Sequence, residues 1–161
     1  MDAKKHTISI LVNNQPGVLQ RVASLFGRRG FNIESITVGK SEEEGLSRMI
    51  IVTTGDNSKL EQISKQLYKV VDVIKVIDIS ANPMVERELA LIKVNAEPSI
   101  RPEIIGVVET FRATIVDIGP KSIMVQVVGD SEKVKAMVEL LKPYGVIQLT
   151  RTGVAAMIRG V

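Results

Sequence analysis

The residues whose types and spacing could do chemistry lie early in the chain, at Asn13-Asn14-Gln15-Pro16-Gly17-Val18-Leu19. Two amides, a proline and a glycine separate an alternating apolar run (Ile8, Ile10, Val12) from a stretch with helical periodicity. The first backbone N–H groups of a helix have no intrahelical acceptor and sit at its positive end. Such a turn suits a small anion, for example an amino-acid carboxylate, and its chemistry is binding rather than bond breaking.

Little else in the sequence favours catalysis. The absence of cysteine excludes disulfides, zinc–thiolate sites, iron–sulfur clusters and thiol catalysis. His6 is the only histidine, and at the start of a strand it is expected to be an ordinary exposed side chain. There is no nucleophile–histidine–carboxylate set, no Gly-Lys-Ser/Thr phosphate loop and no Gly-x-Gly-x-x-Gly. Glu86 and Glu88 share a strand face and are expected to be solvated or paired with Arg87 and Lys93. Glu42-Glu43-Glu44 reads as a solvated hairpin tip, because a metal site needs a second converging cluster.

Charge and hydropathy narrow the partners. The net charge is +3, with 11 basic and 9 acidic residues in 1–80 and 10 and 9 in 81–161, so neither half is a nucleic-acid-binding arm. No apolar run approaches the ~20 residues of a membrane span, and Met1-Asp2-Ala3-Lys4-Lys5 leads into no signal-like segment. A cytoplasmic protein with no nucleic-acid and no membrane partner is expected.

The elements that must position the turn follow from periodicity. Thr7–Val12 alternates as a strand, and Val18, Val22, Leu25 and Phe26 form a helical stripe ended by Gly30. Asn32–Gly39 and Leu46–Thr54 read as strands, with Ile33, Ser35 and Thr37 on one face of the former. A second helix carries Leu60, Ile63 and Leu67, with Ser58 and Glu61 at capping-box spacing. Val70–Ile79 reads as the fourth strand. Ala81-Asn82-Pro83 is the linker, and the order begins again: a strand from Val85, a helix entered at Pro102, strands at Ala113–Ile118 and Ser122–Val128, a helix with Val134, Met137, Val138 and Leu141, and one or two closing strands. Residues 49–73 align with 123–147, placing Gly55-Asp56 over Gly129-Asp130. The fold class is α+β: two tandem ferredoxin-like βαββαβ domains, 1–80 and 81–161, each an antiparallel sheet with helices on one face. An RNA platform would need aromatic residues on the central strands, and Leu46-Ser47-Arg48-Met49-Ile50-Ile51-Val52 has none.

The stretch Asn14-x-x-Gly17-Val18-Leu19-x-Arg21-Val22-x-x-Leu25-Phe26-x-x-Arg29-Gly30-Phe31-Asn32-Ile33-Glu34-Ser35 resembles the ACT domain, and more closely the regulatory small subunit of acetolactate synthase. Leu46-Ser47-Arg48-Met49, Gln66–Val73, Val85-Glu86-Arg87-Glu88-Leu89, Phe111-Arg112-Ala113 and Arg151-Thr152-Gly153 extend the resemblance over the whole chain. It implies a non-catalytic subunit that activates a large catalytic subunit carrying thiamine diphosphate, a divalent metal and FAD. It also implies feedback inhibition by valine in branched-chain amino-acid biosynthesis, with pairs of ACT domains forming a homodimer that binds the effector between chains. The effector residues so implied are Asn14, Gly17, Val18 and Leu19 of one chain with Asn32 and Ile33 of the other. Structural roles stay open beside these: Gly17 for the turn, Asn14 as a helix cap, Asn32 as turn chemistry. The alternative is a free-standing ACT-type amino-acid sensor acting on another enzyme.

Overall fold

The computed structural model describes residues 4–160. In chain order the elements are β1 (Lys4–Asn13), α1 (Val18–Arg28), β2 (Asn32–Lys40), β3 (Leu46–Gly55), α2 (Asn57–Leu67), β4 (Val73–Asp78), β5 (Met84–Asn95), α3 (Arg101–Thr110), β6 (Thr114–Ile118), β7 (Ser122–Gly129), α4 (Ser131–Leu141), β8 (Val146–Arg151) and β9 (Ala155–Ile158). The β-α-β-β-α-β order occurs twice, in sheets ordered β2-β3-β1-β4 and β6-β7-β5-β8, with β9 also paired to β5. The ladders given by register are antiparallel.

The chain divides into two units, and the division differs from a cut at residue 80. The first unit takes the described residues up to Val85 together with those from Val154 onward; the second is Glu86–Gly153. The tail joins the first unit through hydrogen bonds that no local pattern reveals. Val154 N–H donates to Ser35 Oγ (2.8 Å), Thr37 Oγ1 donates to Val154 O (3.0 Å), and Arg159 N–H donates to Pro83 O (2.8 Å).

In the first unit Ile8, Ile10 and Val12 on β1 and Met49 and Ile51 on β3 face the α1 stripe Val18, Val22, Leu25, Phe26 and the α2 stripe Leu60, Ile63, Leu67. Each fully buried side chain of this size contributes about 1.5–3 kcal/mol by removal from water. The end of α1 follows from its sequence. Gly30 takes the left-handed conformation (φ +77°), Phe31 N–H reaches Phe26 O (2.9 Å), and Gly30 N–H reaches Gly27 O (3.2 Å). This double closure satisfies the last carbonyls, and the apolar contact expected with it is the edge-on pair Phe26–Phe31, with centroids 6.3 Å apart. The cap of α2 is Asp56, not Ser58: its Oδ1 accepts from Lys59 N–H (2.9 Å) and from the Ser58 hydroxyl (2.8 Å). In the second unit Asp130 repeats the device with Lys133 N–H (2.8 Å), as the internal alignment implies.

Three further expectations are corrected. The fourth strand begins at Val73 and not Val70, because the α2 C-terminus and a turn occupy the preceding residues. His6 is buried, 5% exposed, with Nδ1 3.2 Å from Asp78 Oδ2 and Nε2 3.2 Å from Gly55 O. Glu88 is likewise buried and pairs with Arg151, not with Arg87 or Lys93.

The two edges of the first sheet differ. On β4, Tyr68 Oη accepts from Val76 N–H (2.9 Å) and donates to Val76 O (3.2 Å), so the outward backbone groups of Val76, in the middle of this edge, are already used. β2 pairs only with β3 among the described residues, leaving its second edge open.

Candidate ligand-binding site

The turn between β1 and α1 is fixed from three sides. Asn13 N–H donates to Asp72 O (2.8 Å), Asn14 N–H to Gly45 O (2.9 Å) and Gln15 N–H to Asn13 O (2.9 Å). Gly17 then takes φ +83°, ψ −5° and stands as the N-cap residue of α1, with no side chain capping the helix. A residue with a Cβ would be strained in this left-handed region, which explains the glycine. The Asn14 side chain is exposed and is not the helix cap, so its amide is free for a ligand. Val18 N–H makes a long bond to Gln15 O (3.4 Å), and Arg21 N–H returns to Gly17 O (3.1 Å). Between them, Leu19 N–H and Gln20 N–H find no backbone acceptor among the described residues, as the first amides of a helix do not. Val18 is buried in the core and Leu19 is 45% exposed, so Val18 offers a ligand only backbone, whereas Leu19 offers side chain as well.

Asn32 and Ile33 lie elsewhere in the same chain. Asn13 is opposite Leu46 on β3, whereas Asn32 is opposite Thr54. Leu46 and Thr54 are eight residues apart on one strand, a separation of about 26 Å at the rise of an extended chain. Asn32 is exposed at the start of β2, and its carbonyl accepts from Thr53 Oγ1 (2.7 Å). The register shifts between Ile33 and Ser35, so Glu34 is a bulge residue. Ile33 and Ile36 therefore both pack toward the core, and Ile33 does not share the face of Ser35 and Thr37.

β1 and β2 are both antiparallel to β3 and so run in the same direction, ending at the edge of the sheet that carries the Asn14 turn. A second copy pairing its β2 antiparallel to the open β2 edge would turn its own Asn32 toward that end. Within one chain the two halves of the candidate set do not meet.

Two charged residues beside the turn were not legible from its sequence. Arg21 Nη2 donates to Asp72 Oδ2 at 2.5 Å, and Asn13 Nδ2 reaches Asp72 Oδ1 at 3.5 Å. A Cβ built on Gly17 would meet Arg21 Nη1 at 3.7 Å and nothing else within 4 Å. The signal that could have found Arg21 is its i+4 spacing from Gly17, since helical side chains lean toward the N-terminus. On the hairpin after β2, the paired hydrogen bonds from Arg48 to Glu42 (2.9 and 3.1 Å), then Glu42's own backbone, hold its carboxyl down at about 2 against an ordinary 4.5.

The second unit builds the same turn with different chemistry. Asn95 N–H donates to Gly145 O (2.9 Å) and Ala96 N–H to Lys121 O (2.8 Å), matching the bonds of Asn13 and Asn14. The side chain at the Asn14 position is thus a methyl group. Arg101, at the start of α3, donates from Nε to Ala96 O (3.1 Å) and from Nη2 to Gly119 O (2.5 Å) and Pro120 O (2.8 Å).

Comparison with known proteins agrees with this architecture. Residues 8–75 match the family model described as AHAS small subunit-like ACT domain, and residues 87–160 the one described as small subunit of acetolactate synthase. The chain is 53% identical over 156 residues to a probable acetolactate synthase small subunit of Archaeoglobus fulgidus, covering 97% of this chain and 98% of that protein. It is 51% identical over 158 residues to the acetolactate synthase small subunit of Bacillus subtilis, covering 97% and 91%. The crystal structure of the acetolactate synthase small subunit from Thermotoga maritima superposes with a TM-score of 0.89 at 46% identity, covering 98% of this chain and 99% of that one. With both halves matched in order and along nearly their whole length, the chain belongs to the acetolactate synthase small-subunit family.

Proposed function

We propose that this chain is the non-catalytic regulatory subunit of an acetolactate synthase, raising the activity of the catalytic subunit and conferring feedback inhibition by valine. On this reading two chains pair through their β2 edges. Valine sits where the Asn14–Leu19 turn of one chain faces Asn32 and Ile33 of the other. Its carboxylate takes the Leu19 N–H at the helix start, its ammonium takes the Asn14 side-chain oxygen, and its isopropyl group lies against Leu19 and Ile33. Thiamine diphosphate, the divalent metal and FAD belong to the catalytic partner.

The observation that carries the reading is the strand register. It sets Asn14 and Asn32 at opposite ends of one sheet, and the open β2 edge offers the pairing that reunites them. Valine inhibits through linkage, by binding one arrangement of the complex better than another; a coupling of ~1–3 kcal/mol gives roughly five- to 150-fold. The test is reconstitution with the catalytic subunit. Adding the chain is expected to raise acetolactate formation and make it valine-sensitive, while Asn14→Ala and Asn32→Ala chains still activate but no longer respond to valine. Full valine inhibition with both variants would overturn the site.

A further inference from the structure

We infer that Arg21 is the residue that makes the effector site demand a free carboxylate, with Asp72 holding its guanidinium in place; this rests on the valine-site reading above. The side chain rises from the first turn of α1 and leans back over Gly17. Its Nη2 is anchored on Asp72 Oδ2 at 2.5 Å, and its Nη1 makes no hydrogen bond to the described residues. That nitrogen is also the sole atom a Cβ on Gly17 would touch, so the open side of the turn is bordered by one cationic donor. Asp72 is itself fixed: its carboxylate is 17% exposed, it faces Asn13 Nδ2, and its backbone carbonyl accepts from Asn13 N–H (2.8 Å).

The arrangement separates two jobs that one guanidinium can do at once. One edge of the planar fork is committed to a carboxylate of the protein, which fixes its orientation; the other presents N–H toward the turn, where a ligand carboxylate would arrive. A backbone N–H at a helix start donates to an amide oxygen as well as to a carboxylate oxygen, and at an exposed turn the helix dipole favours the anion only modestly, so the turn alone discriminates less than a charged donor does. A guanidinium N–H favours the anion. Arg21 therefore selects amino acids with a free α-carboxylate over their amides and over peptide-bonded residues.

The experiment compares L-valine with L-valinamide by titration calorimetry on the full chain. Wild type is expected to prefer valine by ~10-fold or more, the scale of one charge-assisted hydrogen bond. Arg21→Met should weaken valine ~10–100-fold, leave valinamide nearly unchanged and so collapse the preference; Arg21→Lys should restore part of it. A merely structural role for Arg21 would weaken both ligands together. Should Arg21→Met fold poorly because Asp72 is stranded, the Arg21→Met/Asp72→Asn pair, which removes both charges, carries the same comparison. An unchanged preference in the Arg21 variants, with valine binding lost in Asn14→Ala, would sink this inference and leave the site intact. Unchanged valine binding in Asn14→Ala would instead sink the site reading itself.

Discussion

Because Asn14 and Asn32 are about 26 Å apart along the sheet of one chain, a site that uses both must draw them from different chains, and that can be tested by complementation. On the proposed reading each amide would hydrogen-bond a charged ligand group, a contact worth about 1.5–3 kcal/mol, so Asn14→Ala or Asn32→Ala alone should weaken valine ~10–100-fold. In a two-fold dimer every site then carries one defect. Mixing the two variants changes this. With random assortment half of the dimers are hybrids, and each hybrid has one site with both amides intact and one with neither. About a quarter of the sites should therefore regain wild-type affinity. Co-refolding the two chains at equal concentration and reading valine stoichiometry by calorimetry measures this directly. If both single variants lose binding and the mixture binds no better than its parents, the two amides do not meet across a dimer, and the β2-edge assembly is wrong.

Other outcomes follow from individual contacts. Arg151→Met leaves the Glu88 carboxylate, whose side chain is 3% exposed, without its cation. Breaking a buried pair this way should cost about 3 kcal/mol in urea unfolding, and the Arg151→Met/Glu88→Leu double variant should recover much of the loss. Arg112 sits in the left-handed region (φ +53°) at the end of α3, where Ala113 N–H reaches Val108 O (2.9 Å) as Phe31 reaches Phe26 after α1. It is exposed, so Arg112→Gly relieves the backbone without losing packing and should gain about 1 kcal/mol in thermal unfolding. Glu42 has a depressed folded-state pKa of about 2 against 4.5, so its pairing with Arg48 stabilises the fold above pH 4.5 and fades as the pH falls toward 2. Carbon-detected NMR should place its midpoint near 2, and Arg48→Met should return it to the ordinary carboxylate range.

What the sequence disclosed and what it withheld divide along the range of the interactions. The β-α-β-β-α-β repeat was readable because the α1 stripe Val18, Val22, Leu25, Phe26 and the alternation Ile8, Ile10, Val12 are local periodicities that burial then uses. The end of α1 was readable for the same reason: Gly30 and Phe31 satisfy carbonyls only three to five residues back. His6 looked exposed because its partners, Asp78 and the Gly55 carbonyl, come from the strands on either side of β1. Glu88 found Arg151 through the β5–β8 pairing, past the nearer Arg87 and Lys93. The bulge at Glu34 reversed the facing of Ile33, since alternation counted from sequence has no means of registering an unpaired residue. At the turn itself the spacing exposed the backbone chemistry of Gly17 and Leu19, while the cation beside it depends on Asp72, fifty-one positions away.

The two copies of the fold show which part of the turn is architecture and which is chemistry. In both, two successive backbone N–H groups leaving the first strand are taken by carbonyls of neighbouring segments: Asp72 and Gly45 in the first, Gly145 and Lys121 in the second. This much is needed to turn the chain into a helix, and both copies keep it. They part at the side chains. The first copy has an exposed amide at Asn14, a left-handed glycine at the helix start and an arginine with an unused Nη1. The second has Ala96, and its arginine is committed to three backbone carbonyls, tying the turn to the β6–β7 hairpin. A guanidinium that satisfies its own protein's carbonyls is positioned to hold a loop, whereas one with a free edge beside an open turn is positioned to receive an anion. Of the two turns the first is therefore the one built to receive an anion, and two chains paired through β2 would present two copies of it.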